Sequence, residues 1–435
     1  MSSTVQTPSD SPSPIGPRRA SLTFIFLTVL FDVIAFGIIG PVLPKLVVTF
    51  LSGRTADAAE IFGVFGTVFA LMQFVCSPIL GILSDRFGRR TVILASTCGS
   101  IVDFTVMALA PTLGWLFLGR VISGMTTASF SVASAYIADI TPPAKRTGAF
   151  SMIWAAFGLG FVIGPALGGV LGNINVRLPF WVAVAAALGN FLYGLFIVPE
   201  SLPLDRRSTR VAWERANPVG SLRFLKSHGD LLGLATIGFL SFLAQQALPS
   251  IFVLYGIYRF GWSVRTIGLT LAMVGLSQLI VSGGLVGKIV PRIGERTAAL
   301  SGLALGAAGF IIYSFAAHGW EFWIGIPIMA FWGLATAVQS MMTHRVAPNA
   351  QGELQGALSS LRGIGMLLAP SLFTLTFAYF IHPNSRIHVP GAPWMLAAAL
   401  LLGALALAWR FARPMPLHQT EPEYAQSREP EAVTV

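Results

Sequence analysis

The chain has 435 residues, 54% of them hydrophobic and only 11% charged, with a mean hydropathy of +0.73. A water-soluble protein carries roughly 25% charged residues, so a soluble globular enzyme or binding domain is excluded. The net charge of +10 is spread between apolar stretches and not gathered on one domain. That distribution argues against nucleic acid as a partner and for a topological use of charge.

Residues 1–20, "MSSTVQTPSDSPSPIGPRRA", are rich in Ser and Pro and read as a disordered cytoplasmic tail. They lack the basic start and small-residue cleavage site of a signal peptide. Apolar runs follow at 22–49, 61–83, 91–110, 113–138, 149–172 and 179–198, then at 231–258, 266–289, 297–317, 320–343, 353–381 and 392–411. Each is near the ~20 residues needed to cross ~30 Å of hydrocarbon. The pattern predicts an all-α integral membrane protein of 12 transmembrane helices in two pseudo-symmetric six-helix halves. The N-terminal bundle is 21–200 and the C-terminal bundle 230–413; the charged gap 201–229 is a cytoplasmic linker and 414–435 a second disordered cytoplasmic tail.

Twenty of the 28 Lys and Arg residues fall in the two tails and one alternating set of gaps, against six in the other set. The basic set belongs on the cytoplasmic side, which places both termini inside and the protein, multi-pass, in the cell's inner (plasma) membrane. The two halves are related by duplication, a common origin of transporter folds. "RFGRRT" at 86–91 pairs with "RIGERT" at 292–297, and "GLGFVIGPAL" at 158–167 pairs with "GIGMLLAPSL" at 363–372, at offsets of 206 and 205. Cys76 and Cys98 have neither a disulfide framework nor metal spacing.

Span 1 carries a carboxylate, Asp32, inside "FDVIAFGIIGPVLP". It lies ten residues past Leu22, about 15 Å deep at ~1.5 Å per residue. Asp103 in span 3 lies about 18 Å deep by the same measure, and Arg120 in span 4 about 10 Å from the outer edge. All three fall in one middle layer, where transporters built of repeats bind their substrates. Intramembrane charges are costly and as a rule paired or functional. A static salt bridge is the alternative role for the acids, and snorkelling to the outer interface the alternative for Arg120. The uncharged polar residues Gln73, Asn190, Gln245, Gln246, Gln278 and Gln339, with Arg362 in span 11, are candidate substrate contacts; hydrogen bonding between helices is the other reading.

After span 2 comes "GILSDRFGRRTVIL" (81–94), where Gly81, Asp85, Arg86, Gly88, Arg89 and Arg90 set a carboxylate among guanidinium groups around a tight turn. This stretch resembles the signature loop of the major facilitator superfamily, G-x-L-a-D-R-x-G-R-R, which implies a gating latch during alternating access. In span 5, "GFVIGPALGG" puts Gly160, Gly164 and Gly168 on one helix face, with Pro165 and Gly169 beside them. Such a stripe permits close helix approach, and proline favours a bend. The full pattern resembles the fifth-helix signature of the superfamily's proton-coupled antiporters, and "LGRVISGMTTAS" (118–129) resembles its fourth-helix arginine motif.

From span 1 through span 11 the chain is similar to the tetracycline-efflux branch of the drug/proton antiporters. The residues that carry this are "FDVIAFGIIGPVLP", "ALMQFVCSPILGILSDRFGRR", "IVDFTVMALA", "YIAD", "RFGW" and "QGELQGALSSL". The resemblance implies that Asp32 and Asp103 match that branch's first-helix and third-helix acids. The chain departs from it at the eighth-helix histidine and ninth-helix acid, where it has Gln278 and Gly306. Coupling is thus expected to rest on the first half, with Asp32 as proton carrier and Arg120 or Asp103 tuning it.

The expected function is secondary active transport: proton-coupled efflux, by antiport and alternating access, of small, partly apolar compounds such as drugs or antibiotics. A proton symporter or facilitator importing a small metabolite is the alternative. No catalytic residues, cofactor or metal are expected, the proton gradient being the driving force, and the working unit is a monomer in the lipid bilayer. "GGLVGKIV" (283–290) fails as a phosphate loop, because the required first glycine is Ser282 and the hydroxyl position is Ile289.

Overall fold

A segment crossing hydrocarbon finds no water for its backbone, so each N–H must bond within the segment. The computed structural model accordingly contains twelve helices of membrane-crossing length and apolarity among its described residues, 22–127, 129–142, 145–204, 207, 229–347 and 350–412. The two expected tails and most of the expected linker lie outside those residues. The spans are Leu22–Phe50 (span 1), Thr55–Phe87 (2), Arg89–Leu109 (3), Leu113–Ile140 (4), Gly148–Ile174 (5) and Leu178–Phe196 (6). They continue as Leu231–Phe260 (7), Val264–Ile293 (8), Glu295–Phe315 (9), Gly319–His344 (10), Gln351–Ile381 (11) and Ala392–Phe411 (12).

Each span coincides with one predicted run, and the two differ mainly at their ends. Span 2 begins six residues before the predicted 61 because its polar first turn remains helical, with Arg54 Nη1 2.6 Å from Asp57 Oδ2. Five spans are interrupted among the described residues, spans 4 and 7 briefly at Thr127 and Gln246. Span 1 breaks between Ile39 and Leu43, where Pro41 lacks an N–H for the ladder. Span 8 contains a π-helical turn over Val281–Leu285, within "VSGGL". Span 10 passes through a 3-10 stretch over Phe331–Thr336, one turn after Pro327.

The chain divides into two compact units: Met1–Ala216 with Gly256–Gly275, and Asn217–Tyr255 with Leu276–Val435. The first unit thus takes 256–275 in addition to the half expected from sequence. Gly169 of span 5 meets this stretch, where a Cβ would lie 2.8 Å from Gly268 Cα.

In the first unit, span 1 packs on spans 5 and 6, and span 3 on spans 4 and 6. Its core includes Ile25, Val29, Val33, Ile93, Tyr136, Ile153 and Ala156. The glycine stripe of span 5 works as a groove for span 1. A Cβ at Gly164 would sit 2.8 Å from Gly37 Cα and 2.9 Å from the Ile34 carbonyl oxygen, and one at Gly160 would sit 2.6 Å from Val33 Cγ1. At Gly168 it would run into the Ile38 carbonyl.

The second unit is built around rings. Tyr313 stacks on Phe322 with centroids 3.8 Å apart, and Trp394 meets Tyr255 edge-on at 5.6 Å. The buried Tyr255 hydroxyl donates to the Tyr313 carbonyl at 3.0 Å, which satisfies its polar end. Large apolar side chains also face outward, among them Leu109, Trp154, Phe196, Phe315 and Trp409. That surface belongs in lipid.

Candidate functional site

Three groups of polar side chains stand out. The first is a layer of buried charge in the first unit. Asp103 of span 3 is fully buried, and Arg120 of span 4 reaches it with Nη2 3.4 Å from Oδ2. The same Nη2 lies 3.1 Å from Met107 Sδ, and the guanidinium carbon stands 5.7 Å from the centre of the Phe69 ring. Gly119 leaves the room this pair needs, since a Cβ there would sit 2.9 Å from Asp103 Oδ1. Asp32 has a different partner. Asn190 of span 6, also buried, donates its amide to Asp32 Oδ1 at 2.7 Å and to the Thr28 carbonyl at 3.1 Å. The arginine expected beside Asp32 therefore forms its ion pair with Asp103, and Asn190, picked out as a substrate contact, holds the span 1 acid.

The second group is the loop between spans 2 and 3. Gly88 has φ +101°, a conformation open to glycine, and this starts span 3 directly after span 2. Arg89 is the hub: it lies 2.6 Å from Asp85, donates from Nη1 to Ser84 Oγ at 2.6 Å, and donates from Nε to Asp139 of span 4 at 3.1 Å. Glu200, just past span 6, accepts the backbone N–H groups of Arg89 (2.8 Å), Arg90 (3.4 Å), Ser201 (3.0 Å) and Leu202 (3.1 Å). It caps the free donors at the span 3 N-terminus, where a negative charge is favoured. The Arg90 guanidinium donates to the carbonyls of Gly194 (3.2 Å) and Leu195.

Gly81 has open space around it, and Arg86 is exposed against the Phe87 ring. Neither joins Arg89. Asp139 and Glu200 were missed as site residues; the available signal was a carboxylate at the end of a span on the same side as a cluster of arginines. The duplicated loop repeats the turn, with Gly294 at φ +80° and Glu295 accepting from Ser340 Oγ at 2.5 Å.

The third group lines a cavity of about 190 Å³ in the second unit. Gln245 of span 7, Gln278 of span 8, Gln339 of span 10 and Arg362 of span 11 all border it, with Phe239, Phe242 and Trp332. Arg362 Nη2 donates to Gln339 Oε1 at 2.9 Å. The 3-10 stretch of span 10 presents Trp332, whose indole N–H donates to Ser241 Oγ at 3.0 Å. Four of the seven proposed substrate contacts thus gather at one place, whereas Gln73, Asn190 and Gln246 are not on its wall.

Both departures from the tetracycline-pump pattern belong to this region. Gln278 lines the cavity and donates to Ser282 Oγ at 2.7 Å. Gly306 makes room for the indole, because a Cβ there would sit 2.9 Å from Trp332 Cγ. The aromatic wall was not legible as a site, since rings are ordinary in membrane spans.

Twelve membrane-length helices, charge buried within them and a mixed polar and aromatic cavity define a multi-pass membrane protein of the transporter class. The Major Facilitator Superfamily pattern matches residues 25–370, and the chain belongs to that superfamily. It is 36% identical over 386 residues to the class C tetracycline resistance protein of Escherichia coli, covering 88% of this chain and 95% of that one. It is 36% identical over 364 residues to the class G protein of Vibrio anguillarum, covering 83% and 91%. The crystal structure of the human organic anion transporter MFSD10 matches in fold with a TM-score of 0.66 at 24% identity, over 90% of this chain and 99% of that one. The chain is a transporter and not an enzyme.

Proposed function

We propose that this transporter exports small, partly apolar compounds from the cytoplasm in exchange for protons, by alternating access across the cell's inner membrane with both termini inside. The observation that carries the reading is the layer of charge inside the spans, buried Asp103 paired with Arg120 and half-buried Asp32 held by Asn190. Ionisable groups inside membrane spans are costly and mark proton relays and ion pathways.

In this scheme Asp32 takes up and releases the proton, and Asn190 holds its carboxylate in one orientation. Arg120 is bound to Asp103 in the present arrangement. A change in its distance from the two acids alters their proton affinity through charge alone, and that links proton movement to conformational change. The loop hub at Arg89 ties the cytoplasmic ends of spans 3 and 4 together and serves as the latch. Export is favoured over import by the similarity to tetracycline resistance proteins.

The test uses purified protein in proteoliposomes carrying an internal pH dye. A panel of dyes and antibiotics, tetracycline included, is added under an imposed pH gradient. At least one compound is expected to drive proton movement opposite to its own. Proton movement with no compound, or in the same direction as the compound, would remove the antiport reading and favour import.

A further inference from the structure

We propose that the second-unit cavity selects compounds carrying one anionic group on an aromatic body, with Arg362 reading the charge; this rests on the transport reading above and names its substrate class. Among the nineteen residues that line the cavity, Arg362 is the one that is charged. It appears in none of the ion pairs among the described residues, and its polar partner is the neutral Gln339. It lies eleven residues past Gln351, the start of span 11, hence about 16 Å along the helix.

A guanidinium has five donors in a rigid fork, and one amide oxygen uses a small part of that capacity. An opposite charge on the ligand is the natural complement of the remaining donors, and a planar carboxylate or enolate fits the fork in two places. A cationic ligand meets the reverse situation, because no carboxylate lines the cavity.

The rest of the wall determines the body of the ligand. Phe239, Phe242 and Trp332 offer ring faces, and the Ser241 contact holds the indole in place. Gln245 and Gln278 supply an adaptable amide edge. An apolar cavity of ~150 Å³ accommodates benzene, whereas pockets for whole drugs run to ~300–1,000 Å³. A volume of about 190 Å³ therefore suits one or two fused rings with an acid group. A bulkier substrate would place such a part here.

The experiment is equilibrium binding to the purified full chain in detergent, with no proton gradient. The probes share one ring system: 2-naphthoate, neutral 2-naphthamide and cationic 2-naphthylmethylamine. The wild type should bind naphthoate at least about tenfold more tightly than either analogue, the discrimination of one charge-assisted contact. Arg362→Gln should abolish that preference, and Arg362→Lys should retain most of it. An unchanged melting temperature certifies that the variants are folded. Equal binding of all three probes, a preference for the amine, a preference that survives in Arg362→Gln, or no naphthoate binding would each overturn the proposal. Because no gradient is present, loss of proton coupling in the proteoliposome test leaves this result intact, and failure here leaves that one intact.

Discussion

Replacing Gly164 by alanine tests the contact between spans 1 and 5. The new Cβ would lie 2.8 Å from Gly37 Cα, 2.9 Å from the Ile34 carbonyl oxygen and 3.0 Å from the Gly37 carbonyl carbon. All three are backbone atoms, so no side chain can rotate away. Ordinary contact begins at 3.4 Å, and the helices must separate by about 0.6 Å, a gap that forfeits about a quarter or more of each dispersion contact at the seam. Overpacking of this kind costs about 1–3 kcal/mol, a fall in melting temperature of several degrees at roughly 2–4 °C per kcal/mol. The assay is thermal unfolding of the purified protein in detergent. Gly189→Ala is the control, because its Cβ would meet nothing within 4 Å; relief of glycine's backbone entropy should leave it neutral or raise stability by about 0.5–1 kcal/mol. A Gly164→Ala protein melting at or above the wild type would refute the close-approach account.

Arg120→Gln leaves the fully buried Asp103 without its ion-pair partner and should destabilise by about 3–5 kcal/mol. The double variant Asp103→Asn/Arg120→Gln should recover part of that in the same unfolding assay, and no recovery would contradict the pairing. Glu200→Ala removes the acceptor of four backbone N–H groups and should cost about 1.5–3 kcal/mol. Hydrogen exchange should report this as faster opening at Arg89 and Arg90. Gly306→Asp drives a Cβ into the Trp332 ring and Leu401, so binding of an aromatic probe to the cavity should weaken at least about tenfold, from loss of one buried ring contact. Undiminished binding would place the probe elsewhere.

The twelve spans were legible because hydrocarbon demands length and apolarity together, and both can be read from runs of residues. The repeat of "RFGRRT" in "RIGERT" marked both turns that need a left-handed glycine, Gly88 and Gly294. The seam of Gly160, Gly164 and Gly168 was also readable as a face, though nothing in the sequence named span 1 as its partner. What stayed hidden depends on contacts between distant segments. Asn190 and Asp32 are 158 residues apart, and an asparagine in a helix has no periodicity that points to a carboxylate. Trp332 becomes a cavity wall only because span 10 changes to 3-10 winding and Gly306 leaves space opposite. The stretch 256–275 follows its packing against span 5, which no hydropathy pattern reports.

If Asp32 carries the coupled proton, Asp32→Asn in proteoliposomes separates coupling from transport. The asparagine keeps the size of the side chain and a hydrogen-bonding oxygen for Asn190 but cannot cycle a proton. This variant should still exchange labelled for unlabelled substrate across the membrane at equal concentrations, while a pH gradient should no longer drive accumulation. Accumulation against a concentration gradient in the Asp32→Asn protein would contradict it.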